Sequence, residues 1–148
     1  MRARNLASPR ETIRKDAPAA RAATILARHD IRAILVVDEH GGFAGVLSDS
    51  ELLRGLLPAY VTDNDALARV LEESASETLY RRIEPKTVAD LMPTDRDADP
   101  VVQADDTLIE TAVTMVRSRA SLVGVMDGDR LIGGISIDDL ISHLFKPA

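Results

Sequence analysis

The stretch GVLSDSELL, residues 45–53, returns in altered form as GGISIDDLI at residues 133–141. In each copy a short apolar run that contains glycine ends at a serine, and an acid follows that serine by three positions. An apolar run that leads into a capping residue is typical of a strand followed by a helix. The return of this junction 88 positions later indicates that the chain is built from two copies of one unit.

The repeat extends upstream of this junction. Asp16 aligns with Asp105 at a spacing of 89, and the spacing falls to 88 after a hairpin turn that is one residue shorter in the second copy. Farther upstream, ARNLA at residues 3–7 resembles VADLM at residues 88–92. The repeat therefore covers most of both halves.

Both halves show the same succession of patterns, which predicts the element order β-α-β-β-α and an α/β (α+β) fold. Aliphatic runs such as AILVV are too short for a surface helix and indicate buried strands. The turns DEHGG and DGD join the second and third strands. The strands are predicted at residues 11–14, 33–37, 43–47, 100–103, 121–126 and 131–135, and the last helix of each half at 49–57 and 137–145. The first helices are predicted from the apolar stripes Ala19, Ala22, Ala23, Leu26 and Leu108, Ala112, Met115, Val116.

The segment between the halves has a helical pattern of its own. DNDALARVLEES begins with capping residues and places Leu67, Val70 and Leu71 on one face, which predicts a helix over about residues 64–80. The chain is therefore divided into a first motif at 1–57, a helical linker at 58–86 and a second motif at 87–148.

The composition limits the class of protein. The 148 residues include 45% hydrophobic residues, only 3% aromatic residues and no cysteine, so the core is aliphatic and disulfides and thiolate chemistry are excluded. There is no apolar run long enough to span a bilayer and no secretory signal pattern at the N-terminus, so we expect a cytoplasmic protein that does not contact membranes.

The charge distribution is uneven. The net charge of −6 disfavours nucleic acid as a partner of the whole molecule. The first fifteen residues nevertheless hold five basic residues and one acid, Glu11, which is consistent with either a phosphate-binding patch or a solvated terminal arm. Nucleic-acid binding through this arm is the weakest of the candidate functions.

The repeated junction has two compatible interpretations. Ser48 with Glu51 forms the pattern of a helix capping box, and Ser136 with Asp139 repeats it with a shorter acid. The same geometry suits a ribose phosphate, because the helix N-terminus and the serine bind a phosphate oxygen and the acid accepts hydrogen bonds from ribose hydroxyls. Gly45 or Gly133 would allow close backbone approach.

Each half resembles a CBS (cystathionine β-synthase) domain, and the pair resembles a Bateman module. The resemblance is carried by ILVVDEHGGFAGVLSDSELL and LVGVMDGDRLIGGISIDDLI, with TIRKDAP and VVQADDT leading into the first helices. It covers nearly all of the chain outside residues 58–86. The resemblance implies a pseudo-twofold module with packed sheets, whose clefts hold an adenosine-containing ligand such as AMP, ADP, ATP, S-adenosylmethionine or NAD.

The resemblance also implies which residues contact this ligand. The ribose and phosphate contacts would come from Ser136 and Asp139 in one cleft, from Ser48 and Glu51 in the other, and from Arg32. The base contacts would come from Glu11, Ile13 and Ile31 in one cleft, and from Pro100, Val102, Ala120 and Ser121 in the other.

The chain departs from the family pattern at three positions. Glu51 stands where the family usually has Asp, which favours the cleft of Ser136 and Asp139 as the ligand site. Leu35 and Gly124 stand where the family often has proline in the second strand, which affects the shape of the base pocket and leaves the fold unchanged.

The sequence has no recognisable catalytic centre. His29, His40 and His143 lack neighbours at metal-ligand spacing, and no nucleophile or phosphate-loop motif is present. We therefore expect no enzyme activity, no metal site and no obligatory cofactor. The expected function is a ligand-sensing regulator that acts on an unidentified protein effector, and the alternative is a structural oligomerisation module with empty clefts. The last helices of both halves are rich in large apolar residues, which predicts a homodimer; these residues are Leu52, Leu53, Leu56 and Leu57 in the first half and Leu140, Ile141, Leu144 and Phe145 in the second.

Overall fold

The computed structural model describes residues 1–57, 81 and 83–145. The predicted linker helix at about 64–80 lies outside the described residues. The strands are β1 (Thr12–Arg14), β2 (Ala33–Val37), β3 (Phe43–Ser48), β4 (Val101–Gln103), β5 (Leu122–Asp127) and β6 (Arg130–Ser136). The helices are labelled α1 (Ala3–Leu6), α2 (Ala19–His29), α3 (Asp49–Leu56), α4 (Val88–Leu91), α5 (Leu108–Ser118) and α6 (Ile137–Leu144). Within residues 1–57 and 83–145, no helix combines the length and apolar character that a bilayer span requires.

The predicted order β-α-β-β-α is confirmed in both halves. Each half contains a three-stranded sheet in which the first strand pairs parallel with the second and the second pairs antiparallel with the third. The parallel pair is joined by α2 or α5, because parallel neighbours need a long crossover connection. The antiparallel pair is joined by a tight turn with glycine at positive φ, Gly41 in one half and Gly128 in the other.

The two sheets pack face to face through β2, β3 and β5. Leu35, Val46 and Leu122 form a buried cluster at this contact. At Gly124 an added Cβ would lie 2.7 Å from the Phe43 ring, so the missing side chain makes room for that ring. The two positions where proline is common in the family, Leu35 and Gly124, therefore serve the contact between the halves.

Each half is completed by a segment from the other half. The α1 segment packs on the second half, where the Ala3 and Arg4 amides donate to the carbonyls of Asp106 and Ala104 at 2.8 and 2.9 Å. The α4 segment packs in the same way on the first half, where Val88 joins the core. The repeated ARNLA and VADLM stretches are thus exchanged between the halves.

The glycines of the repeated junction accommodate these exchanged segments. Gly133 has a φ of +157°, and an added Cβ would lie 2.7 Å from the carbonyl oxygen of Ser8. Gly45 has a φ of +150°, and its missing side chain makes room for the Met92 methyl group. The close approach expected at these glycines is therefore made by the protein chain itself, because the exchanged segments lie against them.

Three of the five basic N-terminal residues form intramolecular ion pairs, and the segment packs on the second half through α1. Arg4 bonds to Asp105 at 2.9 Å, and this hydrogen bond raises the pKa of the guanidinium. Arg14 pairs with Asp16 at 2.7 Å. These acids neutralise charge that a nucleic acid would otherwise contact.

The apolar stripe predicted for α5 is partly wrong. Leu108 and Met115 are buried as expected, whereas Val116 is 77% exposed. The buried face continues instead through Thr111, which is fully buried, because the helix turns by about 100° per residue and Val116 falls beyond the edge of that face. The threonine hydroxyl donates to the Thr107 carbonyl at 3.0 Å, which satisfies it inside the core.

Candidate ligand-binding clefts

Two clefts lie between the halves. We call the first, of about 690 Å³, the wide cleft; its walls are residues 9–11, 29–33, 121–122 and 136–138. The second, of about 450 Å³, is the small cleft, formed by residues 32, 46, 48–51, 96 and 119–121. Arg32 and Ser121 line both clefts, since each precedes the central strand of its own sheet near the pseudo-twofold axis.

The wide cleft contains five of the predicted contact residues: Ser136, Glu11, Ile31, Arg32 and Ser121, the last of which was expected in the other cleft. Ile31, Leu122 and Ile137 supply apolar surface in the same cavity. A volume of this size with apolar walls and a few polar groups is typical of small-molecule sites.

Asp139 does not line the wide cleft itself, but its carboxylate contacts Arg10, which does. Its Oδ2 atom accepts hydrogen bonds from the Arg10 guanidinium and from the Ser136 amide. Ser136 in turn accepts from the Asp139 amide at 3.1 Å, so the shorter acid completes a capping box at the start of α6. Arg10 lines the cavity, and its Nε–H is buried without an acceptor among the described residues.

The small cleft brings together Ser48, Glu51, Ala120 and Ser121. Ser48 caps α3 by accepting from the Glu51 amide at 3.2 Å. The predicted capping box is incomplete here, because the longer Glu51 side chain does not bond the Ser48 amide. It accepts instead from the Ser48 hydroxyl at 2.8 Å and from Arg96 at 2.8 Å.

Three predicted base contacts lie elsewhere among the described residues. Ile13 and Val102 point into the hydrophobic cores of their own halves, with 5% and 1% exposure. Each is the middle residue of a short first strand whose neighbours are more exposed, because successive strand side chains point to opposite faces. Pro100 is buried and lines neither cleft.

The sequence interpretation counted Arg10 only among the basic N-terminal residues, and it missed Arg96 and both ion pairs. Arg10 lies in the loop after α1 and binds the acid of α6, and Arg96 lies in the loop after α4 and binds the acid of α3. The two loops are equivalent in the repeat, and each arginine follows the last leucine of its short helix by four or five positions. This similar spacing is the one sequence feature that relates the two arginines, and it is hard to recognise because the loops differ in length.

No cluster of metal-binding side chains accompanies the clefts in the described part of the chain. Within those residues, no three histidine, aspartate or glutamate side chains are grouped as a metal site would require. His29 lines the wide cleft, and its Nε2 lies 3.8 Å from the Glu11 carboxylate. Asp138 lines the same cleft, whereas Asp139 is not among its lining residues and forms an ion pair with Arg10.

Comparisons with known proteins agree with this architecture. A CBS-domain-containing protein of unknown function from Kribbella flavida is 34% identical, with 97% of this chain and 98% of that chain covered and a TM-score of 0.81. The CBS domain of a membrane protein from Sphaerobacter thermophilus is 25% identical, with 96% and 86% covered and a TM-score of 0.71. CBSX2 in complex with AMP is 20% identical, with 98% and 96% covered and a TM-score of 0.68. A second matching structure is CBSX2 from Arabidopsis thaliana.

No match was found among the curated proteins. The family model described as CBS domain matches residues 3–58 and 88–146, which include the sheets and both exchanged segments. Because this model matches both halves and the Kribbella flavida protein is 34% identical over nearly all of both chains, the chain belongs to the CBS domain family and contains a CBS domain pair.

Proposed function

We propose that this CBS domain pair is a regulatory module that binds an adenosine-containing ligand in the wide cleft. The observation that carries the proposal is a cavity of about 690 Å³ between the halves, whose lining combines apolar side chains with Arg10, Arg32 and Ser136. Apolar walls suit a purine base, and arginine with a serine hydroxyl suits a phosphate. CBSX2, which shares this fold, was crystallised with AMP, which is consistent with the same class of ligand.

Asp139 retains an acceptor for a ribose hydroxyl. Both hydrogen bonds that hold its carboxylate use Oδ2, from Arg10 and from the Ser136 amide. The described residues donate no hydrogen bond to Oδ1. A ribose could therefore bond this oxygen while the capping box remains intact, and a phosphate could satisfy the buried Nε–H of Arg10.

The position of the cleft supports a regulatory role. Residues 29–33 belong to the first half and residues 136–138 to the second, so one ligand contacts both halves. A ligand that bridges two bodies stabilises the arrangement in which both sets of contacts form, and this differential affinity is what a switch requires. A protein partner would bind preferentially to the arrangement that the ligand stabilises.

Ser136→Ala is expected to weaken ligand binding about tenfold or more, because a hydroxyl bonded to a charged phosphate is lost. Thr107→Ala is the control, since it removes the side-chain cap of helix α5 at a similar cost of about 1 kcal/mol in folding stability, and Thr107 lines neither cleft. Calorimetric titration with AMP, ADP, ATP, S-adenosylmethionine and NAD gives the affinities. Saturable binding by none of them, or an equal loss in both variants, would contradict the proposal.

A second candidate function, oligomerisation, is favoured by an apolar surface on the second half. Helices α5 and α6 pack side by side, and their outer faces expose large apolar side chains. The exposed residues are Ile109, Val113 and Val116 on α5, Ile141 and Leu144 on α6, and Phe145 directly after α6. We propose that a second copy of the chain covers this surface, since contiguous apolar patches are uncommon on monomers.

The leucines expected to form the dimer contact divide between core and surface. Leu52 and Leu140 are buried in their own halves, at 8% and 4% exposure. Leu56 and Leu57 are half-buried, and Leu53 is the exposed one in the first half, at 58%. The proposed contact therefore involves mainly the second half.

Ile141→Glu is expected to convert a dimer into a monomer, because the charge would be placed in the centre of the proposed contact. Leu53→Glu is the matched control at the equivalent repeat position, where the side chain is 58% exposed against 51% for Ile141, and it should leave the dimer intact. Light scattering after size-exclusion chromatography measures the mass. A wild-type protein that is monomeric at micromolar concentration would disprove the contact.

A further inference from the structure

The small cleft differs from the wide cleft in its chemistry. Of the ten residues that line it, only Val46 and Ala120 are apolar. The wide cleft offers Ile31, Leu122 and Ile137, together with a larger volume. A purine base would therefore have little apolar surface to contact in the small cleft.

Both carboxylate oxygens of Glu51, the acid of the small cleft, accept hydrogen bonds from protein side chains. Arg96 donates to both carboxylate oxygens of Glu51, at 2.8 and 3.2 Å, and the Ser48 hydroxyl donates to Oε1. Arg96 is held in turn by the Ser118 carbonyl at 2.6 Å. The side chains of this ion pair are only 13% and 14% exposed, and both oxygens of Glu51 already accept hydrogen bonds within the protein, so Glu51 is less available to a ribose than Asp139 is.

Two further arginines face the same cavity. Arg32 and Arg119 line the small cleft, and neither forms an ion pair with the residues that the structure describes. Counting all its walls, the small cleft has three arginines against the acids Asp49 and Glu51. The wide cleft has two arginines against three acids. The small cleft is therefore the more favourable of the two for an anion.

Equivalent positions of the repeat show the same difference. Arg119 and Asp30 both follow the first helix of their half in the left-handed conformation, with φ of 56° and 51°. Each lines its own cleft, so a cation in one corresponds to an anion in the other. At the second residue of the last helix, the Ser50 hydroxyl in the small cleft corresponds to the Asp138 carboxylate in the wide cleft. Both differences favour a bound anion in the small cleft.

We propose that the small cleft is a binding site for phosphate groups, held by Arg32 and Arg119, and that it is not a second nucleoside site. Guanidinium groups match phosphate oxygens through paired hydrogen bonds, which are among the stronger polar contacts. The phosphates belong either to a free polyphosphate or to the phosphate chain of a nucleotide whose base lies in the wide cleft. Arg32 lines both clefts, so the phosphate chain of a nucleotide bound in the wide cleft can reach the small cleft.

The test uses tripolyphosphate without metal, titrated by calorimetry into wild-type protein at an ionic strength of about 0.15 M. Arg119→Asn, which tolerates positive φ, is expected to weaken binding about tenfold or more. Arg119→Lys retains the charge and should retain most of the affinity. Asp30→Asn, the matched control at the equivalent position of the wide cleft, should not weaken it.

Titration of AMP and ATP distinguishes the two sources of phosphate. Binding of tripolyphosphate that depends on Arg119 identifies a site for free polyphosphate. If tripolyphosphate does not bind but Arg119→Asn weakens ATP and leaves AMP unchanged, the phosphates are those of a nucleotide. The proposal is overturned if Arg119→Asn changes neither ligand, or if adenosine binds at two sites of which this variant loses one. Ser136→Ala tests the wide cleft separately, so either proposal can fail alone.

Discussion

Gly133→Ala is expected to destabilise the protein by about 2–5 kcal/mol, a large fraction of the stability of a typical domain. The backbone there has a φ of +157°, which costs a residue with a side chain about 1–3 kcal/mol. The new methyl group would also lie 2.7 Å from the carbonyl oxygen of Ser8, which accepts from the Gly134 amide while the Ser8 amide donates to the Gly134 carbonyl. Overpacking of this kind adds about 1–3 kcal/mol.

Gly128→Ala separates these two contributions. Gly128 also has a positive φ, of +66°, but an added Cβ would meet no atom within 4 Å. Its expected cost is the backbone strain alone, about 1–2 kcal/mol. Thermal unfolding followed by circular dichroism should therefore show a melting temperature about 10 °C lower for Gly133→Ala and only a few degrees lower for Gly128→Ala. Equal shifts would show that the Ser8 segment does not constrain Gly133.

The second large effect is expected at the ion pair of Arg96 and Glu51. Arg96→Ala would leave the Glu51 carboxylate in a site that is 14% exposed, with the Ser48 hydroxyl as its remaining side-chain donor. Breaking a fully buried pair costs about 3–5 kcal/mol, so slightly less, about 2–4 kcal/mol, is expected here. Urea unfolding measures the loss as a lower midpoint.

Two variants serve as controls for this ion pair. Arg10→Ala breaks the equivalent pair with Asp139, whose side chains are 28% and 35% exposed, so its expected cost is only about 1 kcal/mol. The double variant Arg96→Met with Glu51→Gln removes both charges and should recover most of the lost stability. If the double variant is no more stable than Arg96→Ala, the loss does not come from an unpaired carboxylate.

Much of the fold follows from the sequence because each local signal occurs twice along the chain. A turn and a capping serine bound each third strand, so the strand ends are predicted within one residue, as for residues 43–47 against β3. The α5 stripe is wrong at Val116 because an apolar side chain on the outer face has the same spacing as one on the core. Hydrophobicity alone does not separate a buried face from a face available to a partner.

The candidate site was less predictable from the sequence. Ser136 and Ser48 are found from their local capping pattern, which needs only four consecutive residues. Arg10 and Arg96 act on acids 129 and 45 positions away, and nothing local marks them. Their positions depend on the exchange of α1 and α4 between the halves, which is a long-range property of the chain.

That exchange also sets the order in which the chain can complete its structure during synthesis. Arg4 bonds to Ala104, 100 positions later, so the first segment leaves the ribosome long before its docking surface exists. The first half in turn lacks Val88 and Leu91 of its own core until synthesis has passed the middle of the chain. Closing such long loops is slow compared with local helix formation. Neither half therefore contains its complete core, and a product truncated between them would expose apolar surface to chaperones and proteases.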